Sequence, residues 1–489
     1  MFIKYTISMA WGDDHKKFKK HPYWKKYLLF WTGHGAENLH EWLDDWEIEP
    51  IAVMPIAFLL LVWLAAVLDP DAVAGTFAMV VALSPIWLPI YLFVFFWSTW
   101  IHYIRLLFWF DQKHILLHIE LPPEVSKSPL AMEVFLVAIY QTGGEGDFIS
   151  RIWKGKSRPH WALELVGNEG RVDFYLYMRE SWRNMLEAKL YGQFPEAKVT
   201  LVDDYVNKVP FTPETHGMWG HEFKKSDIAL PIRTYIDYGL DKNTDTPEVQ
   251  VDPITNVLEH MSEMGPGEYL WLQFVIRARK NKSDEWYGFY LDKDSYEDGV
   301  KKALQKITKG AIERAQGLTD DLAEKKKVGS RGSTLLSPGE REQVEAIEHS
   351  KSKSLFEVGI RGLYIAEEGK FKGINTPNLI TIFNSFRYPG YSSIGATRGQ
   401  LIFTYPWQDW NNIRQNKIKK NLFFQYKHRA YFAAPYDQVP SYMTTEELAT
   451  VWHFPNSMVK TPGLSRVPSR RSEAPPNLPV GGAPANLPQ

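Results

Sequence analysis

The chain has 489 residues, enough for two or three domains. Lys and Arg (56) balance Asp and Glu (57), which argues against a nucleic-acid binder driven by bulk positive charge. There is no cysteine, which excludes a disulfide framework, cysteine-ligated zinc, iron–sulfur clusters and thiol catalysis.

Met1 to Asp13 has no short apolar core followed by a small-residue cleavage site, so no secretory signal peptide is expected. Residues 15–48 mix lysines with Trp24, Tyr27, Phe30, Trp31, Trp42 and Trp46. Aromatic and basic residues together suit a headgroup layer, so 1–50 reads as an interfacial lead. A small helical lead packed on the body is the other reading.

Two apolar runs follow, within residues 51–110. Ile51 to Leu68 carries no charge and spans about 27 Å as a helix, close to the hydrocarbon thickness of a bilayer. Gly75 to Ile104 is again free of charge and ends in Arg105. A soluble core helix is rarely apolar on all faces over such lengths. The expectation is a two-helix transmembrane hairpin, with a kink or break at Pro85 and Pro89. Six lysines between Lys16 and Lys26 precede the hairpin, and Arg105 and Lys113 follow it. The short loop has Asp69 and Asp71 and no basic residue. The positive-inside rule then places both ends in the cytoplasm, making this a multi-pass protein of the plasma or inner membrane.

The soluble part begins with the strand His114–Leu121. A helix starts at Ser128-Pro129, strands at Trp161 and Arg171 flank the turn 167–170, and a helix over 180–192 precedes the strand Lys198–Val202. Strand, helix, strand, strand, helix, strand is the split βαβ, ferredoxin-like order, assigned to 111–210. The pattern recurs with insertions over 211–440. It predicts a strand over Ile228–Tyr235, and a helix from Ile254 with Asp252 as N-cap. A strand over 269–279 and a strand from Leu355 follow, then a helix from Thr376-Pro377. Between these strands, 294–350 holds two inserted charged helices. Val300, Leu304, Ile307 and Ile312 have helical spacing, and Ser337-Pro-Gly-Glu340 is a capping-box start. Their charge reads as a solvated face or, more sharply, as a partner-contacting arm. Residues 387–437 read as loops.

Thr444 or Thr445 caps a short amphipathic helix in 441–461 that Pro455 terminates. From 462 to 489 the Pro-rich tail cannot bury a core and is expected to be disordered. The fold class is therefore α+β and membrane-anchored: a hairpin, tandem ferredoxin-like units with inserted helices, and a tail.

No catalytic constellation emerges. There is no G-x-x-x-x-G-K-[ST] loop, no G-x-S-x-G elbow and no H-E-x-x-H. His114 and His118 are four apart but in a strand, and His34 with His40 and Glu41 is too sparse for a metal site. No metal, no cofactor and no enzymatic activity are expected.

The stretch Ile119-Glu-Leu-Pro-Pro-Glu-Val-Ser-Lys-Ser-Pro resembles the N-terminal region of membrane-associated type IV secretion or conjugative-transfer ATPases. So do Thr445-Glu-Glu-Leu-Ala-Thr-Val-Trp-His-Phe-Pro, Thr461-Pro-Gly-Leu-Ser-Arg-Val and Pro475-Pro-Asn-Leu-Pro. In that family a membrane hairpin and a mixed α/β domain lead into a RecA-like motor. These residues carry no nucleotide site of such a motor, so ATP hydrolysis is not expected to carry over. The resemblance implies a non-catalytic, membrane-anchored component that docks a separate P-loop ATPase. Glu446, Glu447, Trp452, His453 and the tail after Pro462 are the contact candidates; a helix packed back on its own domain is the plain alternative. Membrane lipids are expected partners, while self-association and nucleic-acid contact stay open. The alternatives from other classes are a membrane-bound enzyme acting on lipid or envelope precursors, and a plain membrane scaffold.

Overall fold

The structure, a computed structural model, describes residues 50–122, 127–241, 252–280, 294–320, 336–399, 409–433 and 439–455, with short pieces at 285–286, 289–290, 436–437, 463–464 and 466. The expected interfacial lead, and the tail beyond 466, lie outside the described residues.

Three helices come first: α1 (Pro50–Leu68), α2 (Pro70–Ala82) and α3 (Ser84–Asp111). The expected second span is thus divided. Asp69 ends α1 and caps α2, its side chain accepting the Ala72 N–H at 2.9 Å, with Pro70 at the first position. Leu83 separates α2 from α3, and Pro85 sits in the first turn of α3, where a missing N–H is harmless. Pro89 lies inside α3 without ending it. Among the described residues only α3 is long and apolar enough to cross a membrane, so two uninterrupted spans are not seen.

The body is built on one antiparallel sheet of nine strands. In chain order they are β1 (His114–Glu120), β2 (His160–Asn168), β3 (Arg171–Arg179), β4 (Lys198–Val202), β5 (His216–Lys225), β6 (Glu268–Ala278), β7 (Leu355–Glu367), β8 (Ile394–Gly399) and β9 (Ser441–Thr444). The spatial order is β8-β5-β7-β6-β2-β3-β1-β4, with β9 pairing the start of β7. Both halves follow one plan. Within β1–β4 and within β5–β8 the order is fourth, first, third, second, and the halves join second strand to second strand. That joint runs from His160↔Arg277 to Asn168↔Tyr269 without a register break. The two expected soluble domains therefore share a single sheet.

The remaining helices are α4 (Pro129–Ala138), α5 (Phe148–Trp153), α6 (Arg183–Gln193), α7 (Ile254–Ser262), α8 (Ser295–Asp320), α9 (Pro338–Lys351), α10 (Asn375–Ile380), α11 (Ile413–Lys427) and α12 (Thr445–Val451). Strand alternation sends Leu117, Leu163, Phe174, Phe274 and Ile360 to one face, where they meet Phe135 of α4, Leu190 of α6, Leu258 of α7 and Leu448 of α12. The opposite face carries Glu164, Gln273 and Arg361 beside Tyr175 and Trp271, and α11 covers it. The β2–β3 hairpin turns at Glu169 (φ 51) and Gly170 (φ 85), both left-handed, as a two-residue primed turn requires.

Several expectations hold at residue level. Ser337 and Glu340 form the capping box of α9, and Thr444 with Glu447 that of α12. Asp252 serves the start of α7, accepting the Ile254 N–H at 3.1 Å, although Pro253 occupies the cap position.

Others are corrected. Residues 228–235 form no strand because their N–H groups bond side chains instead of a neighbouring strand. Asp227 takes Ala229 and Leu230, Glu447 takes Ile232, and Thr450 takes Tyr235. The strand of that unit is β5. Residues 387–437 are not all loop: β8 and α11 lie there, and the Asp409 carboxylate accepts the Arg414 and Gln415 N–H groups at the start of α11. The start of the tail is pinned, since the Gly463 carbonyl accepts the Val172 N–H at 2.8 Å and Leu464 is buried. A Cβ at position 463 would stand 1.8 Å from the Gly170 oxygen, so only glycine fits.

Candidate functional site: the exposed apolar helix and its seat

Successive helical residues point 100° apart, so four of them sample every face. Ile90, Tyr91, Leu92 and Phe93 of α3 are each more than half exposed. Among the described residues none covers a face of this stretch. From Ser84 to Ile104 there is no Asp, Glu, Lys or Arg, a length of about 31 Å as helix and a match to the hydrocarbon core of a bilayer.

Below Trp97 the same helix enters the body. The Trp100 indole N–H donates to the Ile152 carbonyl at 2.8 Å, and its ring meets Trp153 edge-on at 5.5 Å. Ile101, Ile104 and Ile152 are buried together. The loop after α5 comes so close that a Cβ on Gly155 (φ +62) would sit 2.2 Å from the Ile104 oxygen. One turn further, Trp109 packs against His114 and His428, and the Arg179 guanidinium lies 5.1 Å over the Phe108 ring. Burial, helped by the Arg179 charge, lowers the His114 pKa to about 4. Burial holds His160 well below the usual imidazole range and lowers His428. The joint between α3 and the sheet is therefore made with uncharged imidazoles at neutral pH.

The second concentration of polar groups lies under α11. Arg429, left-handed at φ 50, grips Glu164 with Nε to Oε1 at 2.9 Å and Nη2 to Oε2 at 3.1 Å, and also bonds Asp204. The Tyr205 hydroxyl donates to Glu164 at 3.0 Å and lies 2.8 Å from the Tyr426 hydroxyl. Burial, then the Glu164 charge, pushes both phenols well above their ordinary range. Arg361 pairs with Glu222 at 3.3 Å and donates to the carbonyls of Gln425 and Ala430. These groups tie the end of α11 to the sheet. Glu164 and Arg429 are closed to solvent and act as a clasp, with Asp204 partly exposed at its edge.

The four partner-contact candidates lie inside the body, each no more than 3 % exposed. Glu447 accepts from Lys225 Nζ and the Ile232 N–H, both at 2.9 Å, besides its capping role. Glu446 pairs with Lys353 at 3.1 Å. Trp452 packs on Phe174, and His453 Nε2 is 3.1 Å from an Asp252 oxygen. In this chain α12 presents buried residues on every side and packs back on its own domain.

His114 and His118 are in strand β1, as expected, and His118 bonds Asp173 at 3.0 Å. No group of three His, Cys, Asp or Glu side chains converges as a metal site among the described residues. A cleft of about 390 Å³ lies between Pro213–Trp219, Glu367–Phe371 and α11, and no residue of 100–120 lines it. The sequence reading missed the Glu164–Arg429 clasp. Its signal was a carboxylate between Leu163 and Leu165 in an otherwise apolar strand.

The site and the sheet together define an α+β protein with an exposed apolar helix fixed to an antiparallel body. No known protein family matches the chain, and no curated protein matches it significantly.

Proposed function

We propose that the chain is a non-catalytic, membrane-anchored component of a type IV secretion-like or conjugative DNA-transfer system. It docks a separately encoded motor ATPase at the cytoplasmic face of the membrane. The observation that carries this reading is the joint at Trp100, Ile104 and Gly155. A helix apolar along its exposed length is packed tightly on α5 and the loop after it, so the body would be held at a set position on the bilayer. The repeated strand order supports reading the two halves as tandem ferredoxin-like units. The charge-free α1, with Asp69 and Asp71 after it, supports a second pass and a multi-pass topology with both ends cytoplasmic.

With Glu446, Glu447, Trp452 and His453 buried, docking falls to the charged α8–α9 arm and to the chain after Pro462. Purification from native membranes tests the reading. The full chain recovers a P-loop ATPase, and removal of residues after 466 or charge reversal of Lys301 and Lys302 weakens that recovery. Recovery of no P-loop ATPase by the full chain overturns it. Asp71→Cys, a unique thiol in this chain, is labelled by an impermeant maleimide from outside intact cells if the second pass exists.

A further inference from the structure

We infer that α5 is a second membrane contact: a shallow foot by which the body itself sits in the lipid boundary beside α3. This rests on the reading of α3 as a membrane helix and adds a surface outside it. Helix α5 follows Asp147, which caps it by accepting the Ser150 N–H at 3.2 Å. Its one buried residue, Ile152, packs with Ile101 and Ile104. Its other apolar side chains turn outward: Phe148 is 42 % exposed, Ile149 59 % and Trp153 64 %. A six-residue helix exposing three large apolar side chains has no reason to do so in water.

Helical rise fixes the depth of this surface. Trp100, which touches both Ile152 and Trp153, lies four residues inside the charge-free part of α3 that ends at Ile104. That is about 7.5 Å on the lipid side of Arg105. The body contact thus falls where the acyl chains meet the headgroups, the layer that aromatic residues prefer. Tyr103, Leu107 and Phe110 keep an apolar stripe of α3 exposed for two more turns at i, i+4 and i+7. Exposed Lys154 and half-buried Lys156 follow α5 directly, placing ammonium groups where lipid phosphates lie. The occupant of the α5 surface is therefore the bilayer boundary that α3 crosses, continuous with it through the Trp100–Trp153 contact.

The absence of cysteine makes the test clean. Single variants Ile149→Cys, Phe93→Cys and Glu263→Cys of the full chain are nitroxide-labelled and reconstituted in vesicles of phosphatidylethanolamine and phosphatidylglycerol. Collision with oxygen and with a water-soluble nickel chelate is then measured. The labels at 93 and 149 favour oxygen, with 149 the shallower, and the label at 263 favours nickel. If 149 behaves like 263 while 93 reads as lipid, the foot is wrong and the anchor stands. If 93 also reads as water, the anchoring reading falls and the foot with it. Ile149 is mostly exposed, so its replacement leaves the core untouched.

Discussion

Arg429 and Glu164 meet as a two-pronged pair under α11, both side chains wholly buried and 265 residues apart in sequence. Taking both charges out of water is unfavourable, and the pair persists because every prong is bonded. Removing Glu164 leaves the buried Arg429 guanidinium with only the partly exposed Asp204 carboxylate as its charge partner. Glu164→Leu is expected to lower unfolding stability by about 3–5 kcal/mol. Glu164→Leu combined with Arg429→Met should lose less than the sum of the single changes. Denaturant unfolding in detergent micelles, read as a double-mutant cycle, checks this.

Helix α12 makes a second prediction. Trp452 is fully buried against Phe174 and Phe454, so Trp452→Ala should lose about 3–5 kcal/mol, a cavity effect visible as a lower unfolding midpoint. Glu447→Gln should also destabilise, because Lys225 keeps its charge in a place with 4 % exposure. Both changes act on the free protein. Partner capture by the fraction that stays folded should be unchanged.

The α3–sheet joint predicts a pH dependence. An unfolded imidazole has a pKa of about 6.5, while that of His114 is lowered to about 4, with His160 and His428 also lowered. Between those values the unfolded chain binds more protons than the folded one, so stability rises with pH in that window. The contribution is fully present above about pH 6.5 and is lost as pH falls through about 4. Melting temperature measured from pH 7 to pH 4 should fall, and His114→Gln should flatten the decline.

Gly155, in the loop after α5, lies against the backbone of α3. Gly155→Ala places a Cβ against the Ile104 carbonyl in a left-handed backbone. A loss above about 1 kcal/mol is expected, with earlier thermal unfolding and faster proteolytic release of the body from α3.

Charge in α3 tests the anchor. Phe93→Lys puts an ammonium near the middle of the apolar stretch, worth about 2.5–3.5 kcal/mol against insertion. The fraction resisting alkaline carbonate extraction should drop, while Lys113→Glu, outside the span, should leave it unchanged.

Local chemistry was legible wherever neighbours in sequence do the bonding. Ser337 with Glu340, Thr444 with Glu447, and the Glu169-Gly170 turn are fixed within four residues, and the strands β1 to β4 announce themselves by branched apolar alternation. The lack of charge from Ser84 to Ile104 marks the apolar helix by itself, because its hydropathy depends only on what the helix carries. What depends on distant partners was not legible. Ile228–Tyr235 looks like a strand until Glu447 and Thr450 take its N–H groups, and α11 looks like a polar loop until the sheet supplies a seat for Leu422 and Tyr426. The charges of Glu446 and Glu447 suggest a surface, yet Lys353 and Lys225 arrive from other elements and allow them inside. Sequence determined the apolar helix, the caps and the strand periodicity, since these are set by short-range sterics and by each residue's own solvation. Only the tertiary structure decided which polar groups are buried and which apolar ones stay outside, because each depends on a partner brought from far along the chain.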